Sequence, residues 1–274
     1  MKFRSLLKHV TVVIFAIIWF IPIAILFITV LKSGSQFYEL SFWALPPLTE
    51  IPKNIFQNFK TAITAGELLR PLFDTFLYAG VSSLGAALVS ALAAYALVHL
   101  DIRYPQAWFL TIFGGNLLPF QMFLLPIYIA FSSIGLYNTR LGLTIVYFGL
   151  CIPFGLFLYR NYASQIPVSF FDAAKIDGAN SLQIFWRIFF PMTKSAFLSV
   201  FVIQFIWGWN NLLFGMVLTE DVRPIMAMVA KMSPTRGFAG TPAILAGSFL
   251  ASIPTIVIFI ILHRQFIEGL TITR

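Results

Sequence analysis

The stretch Ser169-Phe170-Phe171-Asp172-Ala173-Ala174-Lys175-Ile176-Asp177-Gly178-Ala179 is a polar island in a chain built mostly of long apolar runs. Ser169 is placed to cap a helix N-terminus, and Asp172, three residues on, would complete a capping box. The acid also suits the positive end of a helix dipole. Gly178 stands where a C-terminal cap glycine belongs. The pattern predicts a helix of about two turns with a sharp stop. Asn180 and Gln183 offer caps for a second short helix, and Pro191 limits its far end. The segment that holds both helices, 160–194, is too polar to cross a bilayer. An amphipathic helix lying on lipid would show a basic polar face. This one carries Asp172 and Asp177 with only Lys175, which suits contact with a protein better.

Outward from this island the chain turns apolar on both sides. Of 274 residues, 59% are hydrophobic and 10% charged, against roughly 25% charged in an average soluble domain. A spanning helix needs roughly 20 predominantly apolar residues. Six stretches qualify: 10–31, 75–98, 107–134, 141–159, 195–219 and 243–262, and none contains Lys, Arg, Asp or Glu. One such charge at mid-helix costs about 2.5–3.5 kcal/mol on insertion scales. The fold class read from this is an all-α membrane protein of six transmembrane helices, with 1–274 forming a single transmembrane domain. The third stretch carries Gly114, Gly115, Asn116, Pro119, Gln121 and Pro126, and a bend or break is predicted there. The N-terminal run with Lys2, Arg4 and Lys8 resembles a signal peptide but is too long and lacks a cleavage site, so it reads as a retained first helix.

The formal net charge is +8. Sparse cations on an apolar chain set topology and give no nucleic-acid footprint. An even number of spans puts both termini on one side. Three cations precede the first span and only Lys32 follows it closely, which places both termini in the cytoplasm. The same count puts 160–194 inside and the long connections 32–74 and 220–242 outside; loops this long usually have a function. The one cysteine, Cys151, lies in an apolar run and reads as a small buried hydrophobe.

In the second span Ser82, Ala86, Ser90 and Ala94 recur every four residues, flanked by Ser83, Ala87 and Ala91. Such a stripe lets backbones approach closely in lipid. It serves either internal packing or a face that moves against a partner. Polar residues inside the spans are candidates for a translocation path: Gln204, Asn210 and Asn211 with Trp207 and Trp209 beside them, then Asn116 and Gln121. Aromatic rings with amides suit a carbohydrate; the alternative is hydrogen bonding between helices. His9, His99 and His263 fall near span ends and read as interfacial side chains. No metal-ligand spacing and no catalytic constellation is visible, so neither a metal site nor an enzyme is predicted.

The run Asp172-Ala173-Ala174, Asp177-Gly178-Ala179, then Phe185 and Pro191, resembles the EAA motif of permease subunits in binding-protein-dependent ABC importers. The likeness is greatest to the carbohydrate branch, in particular to the maltose-type permease that lacks a large periplasmic domain. It extends over nearly the whole chain: Asn58-Phe59 before the second span; Pro119 and Pro126-Ile127-Tyr128 in the third; Gly135-Leu136-Tyr137-Asn138-Thr139; Ile166-Pro167; Trp209-Asn210; and Phe266 with Gly269-Leu270-Thr271. Two departures stand out. The motif's usual Glu is Asp172, one methylene shorter. The usual glycine- and lysine-containing C-terminus is replaced by Thr271-Ile272-Thr273-Arg274.

The resemblance implies a type I importer permease fold in a bacterial or archaeal cytoplasmic membrane, with the helix around 172–178 docking on an ATPase. The coupling residues it implies are Asp172, Ala173, Ala174, Asp177, Gly178, Ala179 and Pro191. No G-x-x-x-x-G-K-[ST] loop occurs and no glycine precedes a lysine, so ATP and its Mg would belong to partner subunits. The partners implied are a second homologous permease, two ATP-binding subunits and an extracytoplasmic solute-binding protein. The substrate implied is a mono- or oligosaccharide, or a related polyol or glycoside. The alternatives are an importer permease for a non-sugar solute and, further off, a secondary transporter. The latter normally needs an acidic site within the membrane.

Overall fold

The computed structural model describes residues 2–232 and 240–271, with side chains for 8–232 and 240–263. The tail residues Phe266, Gly269, Leu270 and Thr271, which carry part of the resemblance, and the departure at 272–274 lie outside those side chains. The helices in chain order are α1 (Lys2–Val30), α2 (Gly34–Glu39), α3 (Ile51–Thr64), α4 (Leu69–His99), α5 (Pro105–Gly114), α6 (Leu124–Ser133) and α7 (Arg140–Ala163). They continue with α8 (Ser169–Ile176), α9 (Ser181–Ile184), α10 (Phe190–Met192), α11 (Lys194–Trp209), α12 (Leu213–Leu218), α13 (Ile225–Lys231) and α14 (Thr241–Thr271). Among the described residues four of these are long and apolar enough to span a bilayer, and counting each of two bent pairs as one span gives up to six. The chain divides into two compact units, 1–69 with 228–252, and 70–227 with 253–274.

In the first unit, α3 closes the end of α1. The last carbonyls of a helix have no partner within it. Asn58 Nδ2 donates to the carbonyls of Val30 (2.9 Å) and Lys32 (2.8 Å), and Asn54 Nδ2 to that of Leu31 (3.0 Å). Lys32 is buried, and its amine donates to the carbonyls of Ser41 and Phe42. The Asn58-Phe59 pair thus has a physical role: the amide caps α1 while the Phe59 ring lies edge-on to Phe249.

In the second unit α4, α7 and α11 pack closely because their contact faces are small. Ser82, Ser83, Ala86, Ala87, Ser90, Ala91 and Ala94 are all buried. Glycines meet them from the other helices. A Cβ on Gly155 would strike Ser90 Oγ, and one on Gly208 would sit 3.4 Å from the Cα of Ala79. The stripe is therefore used for packing within the chain. Cys151 is fully buried, as read.

The third span is broken as predicted. Segments Pro105–Leu117 and Phe120–Ser133 meet at 89°. The fifth is not the single stretch 195–219. Helix α11 stops at Trp209, and α12 restarts at Leu213. Two asparagines compete with the helix for its own backbone groups. Asn210 Nδ2 donates to the Ile206 carbonyl, and Asn211 Oδ1 accepts from the Phe214 N–H at 3.2 Å. A second bend, 75°, separates Ser181–Met192 from Lys194–Trp209. It falls at Thr193, two residues beyond Pro191. There the buried Thr193 hydroxyl donates to Phe189 O and lies 2.8 Å from Tyr159 Oη.

Helix α4 begins at Leu69, six residues before the predicted span, and carries Asp74 inside it. The side chain is 1% exposed. A buried carboxylate therefore does lie in a long apolar helix, but it is neutralised: Arg140, the first residue of α7, donates to it from Nε at 2.9 Å and from Nη2 at 3.3 Å.

Beside this pair the run Gly135–Thr139 forms a latch. Gly135 and Asn138 take positive φ, +75° and +56°. Asn138 Oδ1 accepts from the N–H groups of Glu220 (2.7 Å) and Asp221 (2.9 Å), while its Nδ2 donates to Asp221. Thr139 caps α7 by accepting from Gly142 N at 3.0 Å. Tyr137 Oη donates to Glu220 at 2.8 Å, and this bond to a carboxylate raises the Tyr137 pKa by favouring the phenol.

Candidate functional site

Helix α8 starts differently from its sequence reading. Ser169 is not the N-cap; Val168 is, with no side-chain cap, and Ser169 is the first helical residue. The reason is local. Phe170 N bonds the Pro167 carbonyl, while Phe171 N and Asp172 N both bond that of Val168. The turn after Pro167 leaves no donor for Ser169 to cap. Asp172 still sits in the first turn, at the positive end of the dipole.

The far end matches its reading. Gly178 has φ +82°, a left-handed conformation that costs an L side chain about 1–2 kcal/mol. Its N–H bonds Lys175 O and the Ala179 N–H bonds Ala174 O, each at 3.0 Å, which is the double closure of a Schellman stop. Nothing lies within 4 Å of where a Gly178 Cβ would stand, so backbone conformation alone requires the glycine. Asn180 and Gln183 then form a reciprocal capping box with both bonds at 2.9 Å. The angle between the two short helices is fixed by these two caps.

The two faces of α8 differ. Phe171 and Ala174, three residues apart, are buried. They join Ala91, Ala94, Tyr95, Leu156, Tyr159, Ile184, Phe185, Phe189, Ala196 and Val200 in one apolar cluster drawn from α4, α7, α9 and α11. The other face is exposed. Asp172, Ala173, Lys175, Ile176 and Asp177 all point away, with Ile176 87% exposed. Asp172 and Lys175 approach to 3.7 Å, an exposed pair worth at most about 1 kcal/mol. Val168, Phe170, Leu182 and Trp186 add exposed apolar surface around the acids. An acidic rim with apolar side chains on a glycine-stopped helix is suited to a protein partner. Of the other motif residues, Ala179 is half-buried and Pro191 exposed.

Sequence reasoning missed His99. It ends α4 as predicted, yet it is no free interfacial side chain. Its Nε2 lies 3.1 Å from the Ala163 carbonyl and its ring centre 4.0 Å from that of Phe171. The only sequence signal is a histidine at the end of a long apolar helix, and the phenylalanine that meets it is over seventy residues away.

A second site lies where the third span breaks. A cavity of about 710 Å³ is walled by the broken segment, α7 and α11. Of the path candidates, Asn116, Gln204 and Trp207 line this cavity, whereas Gln121, Trp209, Asn210 and Asn211 do not. Trp209 is buried and stacked on Phe205. Asn211 is buried and accepts from Tyr147 Oη through its carbonyl at 3.3 Å. Asn210 and Gln121 are exposed elsewhere. Irregular backbone at membrane depth is tolerated where it lines a cavity, and Gly115, Asn116 and Leu118 do so here. Trp207 is held by Phe120 and Tyr147, both edge-on. The lining includes no Lys, Arg, Asp, Glu or His. Among the described residues no group of three or more His, Cys, Asp or Glu could hold a metal.

Comparison with known proteins agrees with this architecture. Residues 86–270 match the family described as binding-protein-dependent transport system inner membrane component. The chain is 29% identical to the sn-glycerol-3-phosphate transport system permease protein UgpE of Rhizobium meliloti over 282 residues, covering 98% of this chain and 97% of that one. It is 27% identical to the osmoprotective compounds uptake permease protein GgtD of Synechocystis sp., covering 96% and 89%. The crystal structure of a bacterial ABC transporter involved in the import of the acidic polysaccharide alginate contains a chain of the same fold, with TM-score 0.80, 23% identity and 97% of both chains covered. Four to six candidate spans among the described residues, with a short glycine-stopped helix between α7 and α9, thus stand beside a family match over most of the chain: this protein belongs to the inner membrane components of binding-protein-dependent transport systems, as a permease subunit of an ABC importer.

Proposed function

We propose that this chain is one half of the transmembrane path of an ATP-driven importer of sugars or related polyols. Helix α8 faces the cytoplasm and docks on an ATPase subunit. Both termini lie on that side, and the latch at Asn138 faces outward. The complete complex holds a second homologous permease, two ATPase subunits that bind ATP and Mg, and an extracytoplasmic binding protein. The whole chain works as one permease domain, with Asp172, Ala173, Asp177 and Gly178 on the docking face, Ala174 anchoring the helix from its buried side, and Asn116, Gln204 and Trp207 one wall of the path.

The observation that carries this reading is the two-sidedness of α8. Its exposed face offers acids and apolar side chains to a partner, while Phe171 is set in the core shared by α4, α7 and α11. A displacement of the helix is then a displacement of the bundle, and the nucleotide state of the ATPases biases which arrangement is populated. The carbohydrate assignment draws support from the relatives, named for osmoprotective compounds and sn-glycerol-3-phosphate, and from the chemistry of the cavity wall, an aromatic ring with two amides.

The test is uptake of a panel of radiolabelled disaccharides and polyols into proteoliposomes holding the complete complex. ATP-dependent uptake that needs both the binding protein and the ATPase is expected. Uptake driven by a proton gradient without any ATPase would favour a secondary transporter.

A further inference from the structure

We propose that His99 is the positioning residue that passes movement of α8 to the long helix α4. The inference rests on the coupling role proposed for α8 and adds the contact through which coupling runs.

Phe171 is the one ring that α8 turns inward, and it is 1% exposed. Its neighbours are Tyr95, His99 and Phe189, at centroid separations of 6.1, 4.0 and 6.4 Å. The imidazole is by far the nearest. The two rings are inclined at 37° with centres 4.0 Å apart, a separation so short that Phe171 has no room to approach further without displacing the imidazole. His99 is also fixed from the other side. A carbonyl only accepts, so the short contact of Nε2 with Ala163 O makes Nε2 the protonated nitrogen. That bond ties the ring to the last residue of α7. The other nitrogen, Nδ1, is buried and has no hydrogen-bond partner among the described residues, so none of them pulls the ring out of place.

The imidazole therefore stands at a three-way joint. It belongs covalently to α4, is hydrogen-bonded to the end of α7, and is in ring contact with α8. Tyr95, one turn earlier on α4, extends the contact to Phe185 and Phe189 in the segment that leads to the bend at Thr193. A push on α8 cannot move Phe171 without moving His99. Both α4 and α7 then follow, and α7 carries one wall of the cavity. A residue of ordinary core packing would hold the fold together; His99 in addition links ATP hydrolysis to the shape of the cavity.

The test separates these roles. A single reporter cysteine replaces Leu118, an exposed residue at the cavity, in a Cys151→Ala background. Its reaction with a methanethiosulfonate reagent is followed in the complete complex, with and without nucleotide trapped on the ATPases by vanadate. With His99 in place, trapping is expected to change the labelling rate about fivefold, the signature of a population shift. In His99→Ala, complex assembly and ATP hydrolysis are retained while the change in labelling falls below about twofold. His99→Phe keeps the ring against Phe171 and restores most of the response. The inference is overturned if His99→Ala responds as fully as the unsubstituted complex. It is equally overturned if His99→Phe assembles and hydrolyses ATP but responds no better than His99→Ala, or if both variants lose assembly and hydrolysis together. A failure of the coupling role of α8 itself would look different: the complex with His99 intact would show no nucleotide-dependent change.

Discussion

Arg140 holds the carboxylate of Asp74 by two hydrogen bonds, and the two residues differ sharply in exposure: the arginine side chain is 48% exposed and the aspartate 1%. Removing either breaks the same contact but leaves different residues behind. Without Asp74, Arg140 relaxes into solvent. Without Arg140, the cation left beside the buried carboxylate among the described residues is Arg70, at 3.8 Å. Arg140→Ala is expected to destabilise the purified protein, because it leaves the buried carboxylate without its hydrogen-bonded cation, and Asp74→Asn by less. Thermal unfolding in detergent reads the order; an Asp74→Asn variant less stable than Arg140→Ala would reject it.

Gly178 separates conformation from contact. Its φ is +82° and there is open space where a side chain would stand. Gly178→Ala should therefore cost about 1–2 kcal/mol locally, with the fold intact. A bulky residue such as Trp would leave this chain folded but occupy the docking surface, abolishing uptake and loosening the ATPase. Pull-down with the ATPase subunit checks it: equal retention of the Gly178→Ala and Gly178→Trp variants would show that the surface is not used.

Asp172 makes only a weak exposed contact with Lys175, so its substitution should hardly affect stability. Charge reversal in Asp172→Lys is expected to weaken ATPase binding more than Asp172→Asn does, and added salt should narrow the gap. Equal loss in the two variants at low salt would reject an electrostatic role.

Trp207 lies in the cavity wall between Phe120 and Tyr147, whereas Trp209 is stacked inside the core. Trp207→Ala is expected to lower uptake about tenfold or more at unchanged ATPase binding, by loss of a ring contact in the path. Trp209→Ala should lower the amount of folded protein instead. The comparison is made by uptake normalised to purified complex, and the reverse pattern would move the path to the other tryptophan.

Much of the fold was legible because the spans announce themselves by composition, and the break in the third by its clustered Gly, Pro and amide residues. The glycine stop at Gly178 and the box at Asn180 and Gln183 were legible because caps are local chemistry. Three features were not. The start of α8 was set by Pro167 and Val168, whose carbonyls took the donors that Ser169 would have capped. The break at Asn210 and Asn211 was hidden in a stretch apolar enough to read as continuous. Asp74 fell just outside the predicted second span, because its burial depends on Arg140 from another helix. At the cavity, Gln204 and Trp207 are distinguished from Trp209 and Asn211 only by rotation along the segment, which sequence periodicity does not fix when every face is apolar. His99 belongs to the same class: its role comes from a ring contact with a residue in another element.

The central claim is that α8 meets an ATPase, and its most exposed apolar side chain offers the direct measurement. A photo-crosslinking amino acid in place of Ile176, 87% exposed at the end of α8, is irradiated in cells that express the complete complex. The account predicts a covalent adduct between this chain and the ATPase subunit. Adducts only with lipid or with the extracytoplasmic binding protein would contradict it.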